Sequence, residues 1–347
     1  MTYRRWYPTL VELEDGDVVA ISGTQEPGLN ASVPERYNGS TWTALSTAPL
    51  SLPLYPRAFL EPKNGHIFYA GENGTTRYLD PSGTGTWTTL GSRVVSDRSY
   101  GSAVMLDSKV LYIGGGGRNC PTFPKNTAEI IDLSAASPTW SGVASMAYRR
   151  RQTNATILPD GTVLVTGGTN ACGSSDESGA VFAAELYDPP PKNTWTTLAN
   201  ASVVRVYHST TLLLPDGRVL STGSGDAGVA TQQHTYEIFS PPYLFKGPRP
   251  TYNLPTTAMR YGQSFQVQTP HAAVIRKVTL IRLVSTTHAF DQGQRLNTLT
   301  FQAAADGQSL DLTPPASGRL APPGPYMLFI INDKGVPSLA QTVVLSP

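Results

Sequence analysis

The stretch Leu158-Pro159-Asp160-Gly161-Thr162-Val163-Leu164-Val165-Thr166-Gly167-Gly168, followed by Glu185-Leu186-Tyr187-Asp188 and Trp195, decides how this chain is read. An Asp-Gly turn sits between two apolar runs, and the second run ends on a glycine pair. After a variable loop come an acidic–apolar run and a tryptophan. Asp-Gly between apolar runs is a strong hairpin signal, because tight turns need left-handed backbone angles that few residues adopt. The pattern predicts type I′ turns, with both central residues at positive φ.

The same unit recurs on both sides. It appears as Leu13-Glu14-Asp15-Gly16 to Gly23, with Glu35-Arg36-Tyr37 and Trp42, and as Lys63-Asn64-Gly65 to Gly71, with Arg77-Tyr78-Leu79-Asp80 and Trp87. A third copy has Asp107-Ser108 to Gly114-Gly115, Glu129-Ile130-Ile131-Asp132 and Trp140. A fifth has Pro215-Asp216-Gly217 to Gly223 and Glu237-Ile238-Phe239, without the tryptophan. The tryptophans lie 45, 53 and 55 residues apart, which suits four short strands and one variable loop per unit. Five copies in register argue for an all-β, kelch-like propeller rather than a sandwich with coincidental turns. In a meander the lead-in to each first strand and the loop after each glycine pair share one face. The segments around Arg4–Tyr7, Tyr55–Arg57, Arg98–Tyr100, Arg149–Arg151 and Arg205–His208 should ring that face, and a site belongs there.

From about Phe245 the repeat stops. Lys246-Gly247-Pro248-Arg249-Pro250 reads as a linker, and the remaining hundred or so residues alternate like short antiparallel strands. This organisation places a propeller over residues 1–244 and an immunoglobulin-like sandwich over 245–347, without the Cys…Trp…Cys hallmark of antibody domains.

Bulk composition agrees. The chain has 347 residues, 32 glycines, 29 prolines and only 15% charged residues, which is the make-up of many strands and turns. A net charge of +1 with no Lys/Arg run speaks against nucleic acid or an anionic membrane as partner, and no apolar run is long enough for a membrane helix. The two cysteines, Cys120 and Cys172, fall in loops of neighbouring units, and a disulfide between them is the first reading.

Of the five histidines, His66, His234 and His271 sit in turns or loops without chemical company. His208 follows Tyr207 at a strand start on the shared face, and His288 lies in a loop of the second domain. Two imidazoles with phenol oxygens form an N,O donor set that suits Cu(II), although a Tyr-His pair by itself is more often structural. Arg98, Arg118 and Arg149 are candidates to orient a polar substrate. Asp97 and Asp226 are the only acidic residues near the face for a glycosidase or lyase reading, which ranks below a non-enzymatic kelch-like propeller that binds protein or glycan.

Arg5-Trp6-Tyr7-Pro8-Thr9, Val204-Arg205-Val206-Tyr207-His208-Ser209 with Leu214-Pro215-Asp216-Gly217-Arg218-Val219, and Thr287-His288 before Gln294-Arg295 resemble the glyoxal oxidase and galactose oxidase family of copper-radical oxidases. Pro325-Tyr326-Met327-Leu328-Phe329 with Gly335-Val336-Pro337-Ser338 is similar to that family's C-terminal domain. The resemblance implies a seven-bladed propeller with copper near its axis. It implies Tyr7 as the equatorial tyrosine that becomes the radical, Tyr207 as the axial tyrosine and base, and His208 and His288 as imidazole ligands. A small aldehyde or primary alcohol and O2 would be the substrates, H2O2 a product, and the protein a secreted monomer.

Two departures stand out. The family joins its radical tyrosine to a cysteine on an earlier blade, and no cysteine precedes Tyr7 here. About five blades are visible rather than seven, so the expectation is an N-terminally truncated chain that positions copper ligands yet lacks a stable radical. Ser22-Gly23-Thr24-Gln25 and Thr169 stand where the galactose oxidases have a tryptophan and a sugar-contacting glutamine, which points away from galactose.

Overall fold

The computed structural model describes residues 1–116, 120–173, 175–283 and 285–347. Five antiparallel meander sheets follow one another in the chain. Blade one comprises Thr9–Glu12, Val18–Ile21, Glu35–Tyr37 and Trp42–Ala44; blade two Ala58–Leu60, Ile67–Tyr69, Thr75–Asp80 and Thr86–Ser92. Blade three comprises Ser102–Leu106, Lys109–Ile113, Ala128–Asp132 and Trp140–Val143; blade four Asn154–Ile157, Val163–Thr166, Ala183–Asp188 and Thr194–Asn200. Blade five has three strands among the described residues, Ser209–Leu213, Val219–Gly223 and Tyr236–Phe239. The copy without a tryptophan is the one without an outer strand.

The turns form by a different route from the expected one. Gly16, Gly161 and Gly217 have φ of 87, 89 and 77°, but the preceding aspartates are not left-handed. Gly161 N–H donates to the Leu158 carbonyl, and the Asp160 carboxylate accepts the Thr162 N–H. The aspartate thus caps its own turn, and only the glycine needs positive φ, as in a three-residue hairpin loop with a bulge.

Four blades share one internal clamp. Arg5, Arg98, Arg150 and Arg205, just before the first strand, each pair with a glutamate of the third strand: Glu35 (3.0 Å), Glu129 (2.7 Å), Glu185 (2.5 Å) and Glu237 (3.6 Å). The same guanidinium groups donate to the carbonyls of Ser22, Gly114, Gly167 and Gly223, where the second strand ends. Each glutamate also accepts the backbone N–H three residues before its arginine, from Thr2, Val95, Ala147 and Ser202. All four arginine side chains are buried, so these pairs need the full set of hydrogen bonds to offset desolvation.

The C-terminal strands build a sandwich around Met259, Val267, Val278, Leu280, Tyr326 and Leu328. Its long strand Arg295–Ala303 pairs with Ile275–Arg282 through residues 296–299 and with Ser309–Thr313 through 300–303, passing between the two layers. At its start it also pairs in parallel with blade three, Met105 opposite Arg295 and Leu106 opposite Leu296. Among the described residues no helix is long and apolar enough to cross a membrane.

One hairpin leaves the sandwich and enters the propeller. Ser285–Thr287 and Phe290–Gln292 pair around a two-residue turn, His288-Ala289, with φ of 48 and 65°. This is the type I′ conformation, here without the usual glycine. The hairpin packs against the first strands of blades one, three, four and five. Gln292 brackets blade one through the Pro8 carbonyl (3.3 Å) and the Leu10 N–H (2.9 Å). Gln294 does the same in blade four, through Ala155 carbonyl (3.1 Å) and Ile157 N–H (2.5 Å). Phe290 is fully buried edge-on to Phe59.

Asp291 lies inside this hairpin, 4% exposed, and burial pushes its carboxyl pKa up to about 8. The unfolded chain releases that proton near pH 4, whereas the folded chain keeps it until about pH 8. The contribution to stability is therefore fully present below about pH 4 and declines as pH rises towards 8. In metal-free protein, Asp291→Asn should remove this decline. The stability difference between variant and parent, measured by urea unfolding, is expected to grow in the variant's favour from pH 4 to pH 8.

Candidate metal centre

The clamp arginines place left-handed residues on the mouth of the propeller. Tyr7, Tyr100 and Gln152 each lie two residues after a clamp arginine and have φ of 67, 53 and 56°; His208 lies three after Arg205, with φ 63°. Tyr55 leads into blade two with φ 48°. Non-glycine residues in this region cost roughly 1–3 kcal/mol each and tend to gather at functional sites. Here one such residue leads into each of the five first strands, and His288 on the hairpin tip adds a sixth.

These backbones bring four side chains together. The Tyr7 hydroxyl is 3.4 Å from His208 Nε2, and the Tyr7 and His288 ring centroids are 4.2 Å apart. His208 and His288 meet edge-to-face at 4.5 Å, Tyr207 stacks on His208 at 3.8 Å, and Tyr207 meets His288 at 5.2 Å. The sandwich contributes one of these residues and the propeller three. Among the described residues no cluster of three or more His, Cys, Asp or Glu side chains could hold a metal, so a metal here depends on phenol oxygens.

Each imidazole has its Nδ1 engaged. His208 Nδ1 donates to the Gly225 carbonyl at 3.0 Å, which leaves the Nε2 lone pair facing Tyr7. His288 Nδ1 is 2.7 Å from Thr287 Oγ1, and its Nε2 is buried without a hydrogen-bond partner. Outer partners of this kind set the tautomer of metal-binding histidines. Burial, then the charges of His208 and Arg57, lowers the His288 pKa to about 3, so its ring is neutral. Burial and the Tyr7 hydroxyl push the Tyr207 phenol well above the usual tyrosine range.

Several neighbours lie in segments that the sequence placed on this face without giving them a role. Tyr55 is 7% exposed and stacks on both His288 (4.6 Å) and Tyr7 (4.8 Å). The Trp6 indole covers Tyr7 at 3.5 Å and 16°. Arg57, fully buried, donates to the carbonyls of Tyr55, His288 and Gly101, fastening the hairpin tip to blades two and three. A tyrosine leading into blade two, in Leu54-Tyr55-Pro56, was the available signal for the first.

A cavity of about 830 Å³ opens among the lead-in segments and loops of blades one to four, walled by Thr24, Asn30, Glu72, Asp97, Tyr100 and Arg151, among others, but not by Tyr7, Tyr207, His208 or His288. The three arginines expected from sequence to orient a substrate have different surroundings. Arg98 is a clamp residue, its guanidinium spent on Glu129, Gly114 and Thr127. Arg149 is exposed and does not line the cavity, while Arg118 lies outside the described residues. Arg151, two positions on from Arg149, lines it instead. Asp226 closes a loop turn by accepting the Ala230 N–H. Cys120 and Cys172 are joined as a disulfide with Cα atoms 5.2 Å apart.

Comparison with known proteins covers both the propeller and the sandwich. Residues 1–243 match the family described as glyoxal oxidase N-terminus, and residues 249–345 the galactose oxidase-like early set domain. Galactose oxidase of Gibberella zeae is 32% identical over 99% of this chain, which spans about half (54%) of that protein's length. The aldehyde oxidase GLOX of Vitis pseudoreticulata is 31% identical over 99% of this chain and 72% of its own. A fungal alcohol oxidase solved in complex with copper superposes with a TM-score of 0.92 at 29% identity, covering all of this chain and 77% of the other. The His208 Nε2 lone pair and the unpartnered His288 Nε2 beside two phenols fit such an ion, and with both halves of the chain matched, this protein belongs to the glyoxal oxidase and galactose oxidase family.

Proposed function

We propose that this chain carries the site of a copper-dependent oxidase that takes a small aldehyde, as its hydrate, or a primary alcohol, with O2 as acceptor. In balance, RCH2OH and O2 give RCHO and H2O2, while RCH(OH)2 and O2 give RCOOH and H2O2. One C–H and one O–H bond break, and two electrons and two protons pass to dioxygen. The observation that carries this reading is the pair of imidazoles with engaged Nδ1 atoms, converging with Tyr7 and Tyr207 around one unpartnered buried nitrogen.

Tyr7, Tyr207, His208 and His288 would hold the ion. When bound, copper would supply a charge that lowers the pKa of a neighbouring phenol and one of two electron-accepting centres. Tyr207 then serves as the base for the substrate hydroxyl proton; without a cation its raised pKa keeps it protonated. Tyr7, as a tyrosyl radical, takes the hydrogen atom from carbon. Its ring has the Trp6 indole on one face, and since Cys120 and Cys172 are bonded to each other, neither thiol is open to it. The disulfide also suits an oxidising, secretory location. Galactose is disfavoured, because Thr169 is fully buried and its hydroxyl donates to the Asp176 carbonyl.

Copper titrated into metal-free protein, followed by calorimetry and electron paramagnetic resonance, should give one site per chain. Thr287→Val, which strips the partner from His288 Nδ1, should weaken binding roughly 10–100-fold, and His288→Ala should abolish tight binding. An unaltered isotherm for His288→Ala would refute the ligand set.

Tyr7→Phe keeps the ring and its stacking but removes the oxidisable phenol. It is expected to leave a weaker copper site on Tyr207, His208 and His288 and to lose oxygen consumption with glyoxal. Undiminished oxygen consumption in this variant would remove Tyr7 from the chemistry.

A further inference from the structure

We propose that Asn38, Asn73 and Asn200 are acceptors for N-linked glycans, and that Asn30 and Asn154, which carry the same signal, stay bare in the folded protein. The assignment is independent of the oxidase reading. The Asn-X-Ser/Thr signal occurs five times, as Asn30-Ala31-Ser32, Asn38-Gly39-Ser40, Asn73-Gly74-Thr75, Asn154-Ala155-Thr156 and Asn200-Ala201-Ser202. It can be used only where the asparagine reaches the surface. Linear sequence does not sort the five; the fold does. Asn154 is 3% exposed between the first strands of blades four and five, and its Nδ2 donates to the Ser209 Oγ (2.9 Å) and carbonyl (3.3 Å). Asn30 is half-buried, with its Nδ2 on the Leu52 carbonyl at 2.8 Å. A sugar on either nitrogen would disturb that bond and drive a bulky, hydrated group into the protein.

The other three asparagines are exposed. Asn38 forms the tip of the outer hairpin of blade one. Its Oδ1 accepts the N–H groups of Ser40 (3.1 Å) and Thr41 (2.9 Å) and both their hydroxyls, so the amide oxygen is committed to the turn and the nitrogen is the atom left for modification. Asn73 precedes Gly74, φ 95°, in the loop after the second strand of blade two, at the edge of the cavity. Asn200 ends the outer strand of blade four.

Each of these stands beside apolar surface that a sugar would cover. Tyr37 and Trp42 lie opposite one another across the Asn38 hairpin, ring centroids 5.0 Å apart. Phe182, 38% exposed, accepts at its carbonyl the N–H of Ala201, next to Asn200. Val94, 63% exposed, follows Arg93, whose N–H donates to the Gly74 carbonyl. A hydrated glycan over such side chains adds solubility. The transfer is redox-neutral. Asparagine Nδ2 bonds to the anomeric carbon of a lipid diphosphate-linked oligosaccharide, the C–O bond to the diphosphate breaks, the lipid diphosphate leaves, and one amide proton is released. Because the extended chain is the acceptor, folding acts as the filter: a copy modified at Asn154 cannot close the seam between blades four and five. The Cys120–Cys172 disulfide suits the same oxidising compartment.

The test uses the full chain secreted from a eukaryotic host behind a cleavable leader. Treatment with peptide:N-glycosidase in heavy-oxygen water returns each glycosylated asparagine as labelled aspartate, which peptide mass mapping locates. Label is expected at Asn38, Asn73 and Asn200 and at neither Asn30 nor Asn154. Ser40→Ala removes the signal while leaving the Thr41 bonds to Asn38, and it should leave Asn38 bare with the other two sites still labelled. The combination Asn38→Gln, Asn73→Gln and Asn200→Gln should carry no label and aggregate more readily by light scattering at equal concentration. Secreted parent without label, or label at Asn30 or Asn154 in molecules that resist limited proteolysis, would overturn the assignment. A bare residue among the three strikes that site, persistent label at Asn38 in Ser40→Ala refutes N-linked transfer there, and unchanged aggregation refutes the shielding role.

Discussion

Everything at the mouth of this propeller depends on one repeated interaction, the buried arginine that grips a third-strand glutamate and the carbonyl ending the second strand. A buried ion pair is a poor source of net stability, since desolvating both charges offsets most of their attraction. Its value here is geometric. The guanidinium fork has fixed directions, and a carboxylate that also accepts a backbone N–H cannot rotate away. Three segments of each blade are thereby locked at the point where the chain must turn left-handed. Tyr7 and the Tyr207-His208 pair stand directly after two of these locks.

The second constraint is the hairpin that ends in His288. Its turn holds two non-glycine residues at positive φ, an arrangement that would open if left in solvent. Docking among the first strands of four blades, with Gln292 and Gln294 bridging both backbone polarities, over-determines it. Arg57 fastens the tip from the other side. The sandwich is consequently part of the site rather than an appended module, a conclusion reinforced by the sheet it shares with blade three.

Electrostatics follow from this burial. His288 is kept neutral and its Nε2 has no protein partner, while Tyr207 is kept protonated and Asp291 carries its proton to about pH 8. These groups sit in one low-dielectric channel, where each is destabilised in its charged form. On the proposed reading, a cation held by the cluster would offset these costs, with the two phenols as its oxygen donors.

By itself the sequence determined the blades, because strand period, aspartate–glycine turns and glycine pairs are local signals that a linear reading detects. It also marked Tyr7, Tyr207, His208 and His288 through their surrounding motifs. Even so, the turn type was misjudged: whether an aspartate adopts the left-handed region depends on whether its carboxylate is already engaged, as Asp160 is with Thr162. The arginines were harder still. Arg98, Arg149, Arg150 and Arg151 look alike in one dimension, and only packing separates a clamp, a solvated side chain and a cavity wall. Tertiary structure decided how His288 reaches Tyr207 and the far more distant Tyr7 at the other end of the propeller chain, since a hairpin's destination is set by the channel that receives it and not by its own residues.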